Sequence, residues 1–167
     1  MKLPLRGIAL SALLLAAALQ VVPYGHTHRN PAVRQEPAWD SPRTRALVVH
    51  ACFDCHSNET RWPWYSRVAP VSWLIQRDVE AGRRHLNFSE FDHAQRHAAQ
   101  AAREVAKGDM PMAIYLLAHP AARLSGTEKA ELIAGLTRTL GEPKPRQAVA
   151  TASQGGGACA SKRDPLE

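Results

Sequence analysis

The stretch Cys52-Phe53-Asp54-Cys55-His56 constrains this chain more than any other. Two cysteines three positions apart, with a histidine directly after the second, can act on one group only if they share a turn of helix. Residues three apart lie on the same helical face, whereas an extended strand would spread them along its length. A helix must therefore reach position 56. The one further cysteine, Cys159, sits in the Gly- and Ala-rich stretch SQGGGACASK and reads as a dispensable thiol. Three cysteines do not make a disulfide framework.

The pattern Cys-x-x-Cys-His is the attachment site of c-type haem. Each sulfur can form a thioether to one of the two haem vinyl groups, and the next residue can bring its imidazole to the iron from the same side. One haem c per chain is expected, held by Cys52 and Cys55, with His56 as iron ligand. The second ring nitrogen of His56 then needs an acceptor, commonly a backbone carbonyl, to fix the ring. Two other chemistries use similar residues. A dithiol redox pair normally opens a helix after a strand, and no βαβ pattern is present. A structural zinc site needs four ligands, one more than this stretch supplies.

A cluster of aromatics follows: Trp62, Trp64, Tyr65 and Trp73. They are expected to line the haem edge, with an indole N–H or the phenol donating to a propionate; each also suits ordinary core packing. Arg61, Arg67, Arg83 and Arg84 are candidate propionate partners. For the sixth iron position Met110 is the first candidate and Met112 the alternative, because thioether paired with histidine raises the potential and suits electron transfer. His85, His93, His97 and His119 are rivals, with His93 and His97 four apart on one expected helix face.

The rest of the chain places this site in an all-α domain. Lys2 and Arg6 precede an uncharged apolar run over residues 7–22, so residues 1–24 read as a signal peptide or a retained signal anchor. Residues 25–38, with Pro31 and Pro37 and no apolar period, read as an extended linker in which His26 and His28 are solvated. The haem-binding domain is assigned to residues 39–141. Its first helix is expected to start near Ser41, with Pro42 at the first position, and to run unbroken through His56. A loop follows; its Asn58-Glu59-Thr60 matches a glycosylation sequon that nothing else supports. A second helix covers residues 71–85, burying Trp73, Leu74 and Val79. A third starts after Asn87 or Ser89 and ends at Gly108. Residues 109–124 are partly irregular. Ser125 and Glu128 form a capping box for a last helix that buries Leu132, Ile133, Leu136 and Leu140 and ends at Gly141. Residues 142–167 read as a disordered tail.

The segments PYGHTHRNP, PAWDSPRTRALVVHACFDCHSNETRWPWYSRVAPVSWLIQRDVEAGRRHLNFSEF and GDMPMAIYLLAHPAARLSGTEK resemble the bacterial haem-binding domain family, small proteins similar to c-type cytochromes behind an N-terminal anchor. The likeness covers roughly residues 20–140. It implies covalent haem on Cys52 and Cys55, His56 as ligand, and a periplasmic or membrane-associated location. The family's usual Met-Pro-Pro reads Met110-Pro111-Met112 here, so two thioethers compete. The fold is also similar to class I cytochrome c, in which the first and last helices cross closely; Ala134 and Gly135 would allow that approach against Leu47 and Ala51.

The leading expectation is a non-enzymatic one-electron carrier with its domain in the periplasm, tethered to the inner membrane by the N-terminal helix or released if that segment is cleaved. Its redox partner is a protein of unknown identity, and a net charge of +6 suits an acidic protein, an anionic membrane surface or nucleic acid. The arginines form no run or stripe, which argues against nucleic acid. A haem sensor or ligand-binding protein with an open or displaceable sixth position is the alternative, and a peroxidase-like enzyme a third reading.

Overall fold

The computed structural model describes residues 5–142. Every regular element among them is helical: α1 (Leu5–Gln20), α2 (Pro42–Ala51), α3 (Phe53–His56), α4 (Val71–His85), α5 (Ala101–Lys107), α6 (Ala113–Ala118) and α7 (Gly126–Leu140), with short 3-10 turns between them. The expected tail over 142–167 lies, beyond residue 142, outside the described residues.

The core is built where α2, α3, α5 and α7 meet. Leu47, Val48, Phe53, Leu86, Phe88, Val105, Leu132 and Leu136 form one buried cluster. Leu132 and Leu136 are one turn apart on α7, and Leu47 and Val48 face them from α2. Gly135 makes this crossing close: a Cβ there would overlap the Thr44 side chain. Gly135 is buried as expected for a helix contact, whereas Ala134 is exposed and takes no part. The capping box is present, Glu128 N–H donating to Ser125 Oγ at 3.2 Å and Ser125 N–H to Glu128 Oε2 at 3.0 Å.

Three expectations are corrected. The helix expected to run unbroken to His56 breaks at Cys52 (φ −126°, ψ −31°) and restarts as α3; the new direction drives Phe53 into the core beside Phe88, ring centroids 6.0 Å apart. The third helix begins only at the 3-10 turn Ala98–Gln100. Polar side chains over 87–95 capture the backbone that a helix would use: Ser89 N–H donates to Asn87 Oδ1, Asn87 N–H to Gln95 Oε1, and Gln95 Nε2 to the Glu90 carbonyl. His93 and His97 therefore do not share a helical face. Finally, α1 has 16 residues, about 24 Å at 1.5 Å per residue against a hydrocarbon core of about 30 Å. Among the described residues no helix is long and apolar enough to cross a membrane, so the expected transmembrane helix is not found.

Residues 26–34 form no regular element, as expected of a linker, but they lie strapped across the domain, and His28, expected solvated, turns at φ 40° and is half-buried. His28 Nε2 pairs with the Ser66 carbonyl at 2.8 Å, Asn30 Nδ2 donates to the Thr60 carbonyl at 2.9 Å, and Asn58 Nδ2 to the Ala32 carbonyl at 2.9 Å. Gln35 and Glu90 form an isolated parallel bridge. Asn58, 2 % exposed, is the hub of this stitching and also accepts from Asn87 Nδ2 at 2.9 Å. Its burial is at odds with the sequon.

Candidate functional site

Cys52, Cys55 and His56 line one cavity of about 400 Å³. The volume lies within the range of small-molecule and cofactor sites. The break at Cys52 and the single turn of α3 put the three side chains on the same wall. Behind them α4 comes very close: a Cβ at Gly82 would overlap the Cys55 carbonyl. Leu86, Phe88, Ala101, Val105 and Leu136 supply apolar lining.

His56 Nδ1 lies 3.0 Å from the Leu86 carbonyl. A carbonyl only accepts, so Nδ1 carries the proton and Nε2 keeps its lone pair. Burial pulls the His56 pKa below its ordinary value, outweighing the hydrogen bonds to Leu86 and Gly82, and keeps the ring neutral. This is the state of a metal-ligating imidazole with its second nitrogen anchored, as anticipated from the motif.

Burial pushes the Cys52 thiol up to about 12, with Cys55 adding to the shift, and pushes Cys55 up to about 12, with Asp54 and Asp78 adding. Redox-active cysteines need the opposite, an electropositive setting that favours thiolate. Among the described residues no three His, Cys, Asp or Glu side chains are grouped to hold a metal ion.

Met110 and Met112 both line the cavity. Met110 follows α5, its N–H donating to the Glu104 carbonyl at 3.2 Å, and Met112 is the residue before α6. Of the rival histidines, His85 and His97 line the cavity too, their rings 5.4 Å apart. They also line a larger polar depression of about 610 Å³ shared with Arg84, His93 and Arg96. That depression is open and lacks the cysteines, so it is not the cofactor cavity. His93 lines only the depression, and His119 neither space.

The four aromatics expected around the cofactor do not line the cavity. Trp62 donates to Asn30 Oδ1 at 3.1 Å and packs on the His28 ring at 4.7 Å. Trp64 is 78 % exposed. Tyr65 pairs with His119 Nε2 at 3.1 Å. Trp73 has a buried indole N–H without a partner among the described residues, on the part of α4 next to Gly25. The propionate candidates Arg61 and Arg83 are committed elsewhere: Arg61 to Asp54, and Arg83 to the Ser57 and Arg29 carbonyls, Asn30 and Thr60. Sequence reasoning missed Leu86, Phe88, Val105 and Tyr115, which come from elements distant in the chain.

The family model of a haem-binding domain matches residues 14–138. The chain belongs to the haem-binding domain family. Haem is thus its cofactor, and the matched span contains the whole cavity. No curated protein and no solved structure matches the chain. The residues fit a haem: a mainly apolar cavity, a neutral imidazole with its second nitrogen anchored, and two thiols on the same wall.

Proposed function

We propose that this haem-binding domain carries its haem covalently as haem c and works as a one-electron carrier without catalytic activity. Cys52 and Cys55 would each bond a vinyl group, His56 would hold the iron through Nε2, and Met110, or alternatively Met112, would take the sixth position. The observation that carries this reading is the meeting of Cys52, Cys55, His56 and both methionines around one cavity, with His56 Nδ1 tied to the Leu86 carbonyl. Haem supplies the ferrous–ferric couple. The chain orients its ligand, excludes water from the iron and sets the potential. The close α2–α7 crossing at Gly135 supports a cytochrome c-like helix arrangement.

Residues 1–24 are proposed to direct export, which puts the domain in the periplasm, where an acidic redox protein is its partner. Expression with its own N-terminal segment beside haem-maturation machinery tests the proposal. A low-spin c-type spectrum with the methionine–iron charge-transfer band is expected, and haem should stay on the chain in denaturing gels. Haem that washes off in denaturant would overturn covalent attachment. His85 and His97 on the cavity wall favour one second reading, a histidine sixth ligand; a low-spin spectrum lacking the methionine band would select it.

A further inference from the structure

The segment carrying the two methionines has little to hold it. Its backbone is anchored at its start, where Asp109 and Met110 N–H both donate to the Glu104 carbonyl. Beyond it α6 buries none of its residues, and Ile114 and Leu117 on its outer side are 69 % and 72 % exposed. Six residues of helix are too few to stand alone in water. Yet Met110 and Met112 line the same cavity as Cys55 and His56, so something fixes this segment to the rest of the cavity.

The fixing contact runs to the middle of the cysteine motif. Tyr115 Oη donates to Asp54 Oδ2 at 2.8 Å. Asp54 lies between the two cysteines and is 9 % exposed. Its other oxygen accepts from Arg61 Nε and from Arg61 N–H, each at 3.2 Å, so the acceptor is immobile and charge-assisted. Tyr115 is braced from behind: its ring stacks on His119 at 4.2 Å and 22°, and His119 Nε2 pairs with Tyr65 Oη at 3.1 Å. Tyr115 follows Met112, the residue before α6, by three residues, and it lines the cavity itself.

We propose that the Tyr115–Asp54 hydrogen bond is the latch that holds the methionine segment at the cavity that His56 also lines, which makes Tyr115 a positioning residue for the sixth ligand. This rests on the haem c reading above. Without the hydroxyl, α6 and both methionines lose their tie to the wall that carries the proximal ligand, and Asp54 Oδ2 keeps only Arg61 Nη2 at 3.5 Å.

The test compares Tyr115→Phe with the wild-type holoprotein. The variant should keep covalent haem, lose most of the methionine–iron band, and bind added imidazole at least about tenfold more tightly, the scale expected on losing a charge-assisted hydrogen bond. Tyr24→Phe, which removes a hydroxyl bonded to Glu80 away from the cavity lining, should bind imidazole like the wild type. Hydrogen exchange at the amides of residues 113–118 should accelerate in Tyr115→Phe whether or not haem is loaded. A wild-type spectrum lacking the methionine band sinks the ligand assignment alone, and imidazole affinity and exchange still decide the latch. If Tyr115→Phe takes up no haem, exchange in the apo chain decides it. Unchanged imidazole affinity, or unchanged exchange, in Tyr115→Phe overturns the latch.

Discussion

Leu86 decides which nitrogen of His56 faces the cavity, and it does so with a backbone carbonyl that mutation of its side chain cannot remove. In the proposed haem c form, replacing His56 by Ala should leave haem on the cysteines and turn the spectrum high-spin, read by optical absorption. The thiols carry a second expectation. With both pushed up to about 12, the folded apo chain should react with iodoacetamide at pH 8 at least about a hundredfold more slowly than the same chain in urea, because thiolate is the reactive form. Asn58 offers a third. Its side chain joins the Ala32 carbonyl, Glu90 and Asn87, so Asn58→Ala should cost about 1–3 kcal/mol in urea unfolding. At this scale the sequence is legible where function is local. Cys52, Cys55 and His56 announce themselves because one helical turn brings them together. Tyr115 and Asp54, 61 residues apart, give no such sign. The tryptophans mislead because nearness in sequence to the motif is not nearness in space: Trp62 turns to the strap and Trp64 to solvent.

Among the elements, α4, α7 and their boundaries are readable because each carries its own signals: Pro70 before α4, a capping box before α7, Gly141 after it. The segment over 87–97 is not, because its conformation is set by side chains that compete with helix and by pairing to residues 34–35 far upstream. Helix crossings depend on two glycines. Gly82→Ala meets the Cys55 backbone and Gly135→Ala meets Thr44; each should destabilise by about 1–3 kcal/mol, with Gly82→Ala also lowering haem occupancy because it displaces the motif. A pH dependence belongs to the strap. Arg45 Nε and Nη2 donate to the Glu36 carboxylate at 2.7 and 2.6 Å, and the Trp39 indole adds a bond at 2.6 Å. The Arg45 bond is the main reason that the Glu36 pKa lies below its ordinary value. A carboxyl whose folded pKa is depressed contributes stability that is present above its unfolded pKa and lost as pH falls toward the folded one. Glu36→Gln should therefore lower the melting temperature at pH 7 and flatten its decline below about pH 4.5, the ordinary value.

For the molecule as a whole, the cavity is both the site and a gap in the core. Phe88, Val105 and Leu136 belong to the buried cluster and line the cavity as well, so the cofactor completes a surface that the protein leaves unfilled. The apo chain made with Cys52→Ser and Cys55→Ser should unfold at lower denaturant than the haem-loaded chain, and its α5–α6 region should exchange amide hydrogens first. The N-terminal helix is fastened to the same body. Gln20 exchanges hydrogen bonds with Ala69, donating to its carbonyl at 3.1 Å and accepting from its N–H at 3.1 Å, and Tyr24 Oη donates to Glu80 at 3.2 Å. A free tether of residues 21–40 would let the domain roam on a leash several tens of ångströms long, at about 3.3–3.6 Å per residue. Clipped at Ala69, Glu80, Ser66, Thr60 and Ser89, it acts instead as a bracket. Whatever α1 is fixed to therefore sees the cavity at one bearing, and anything that meets the cavity has to come to that spot rather than wait for the domain to swing round.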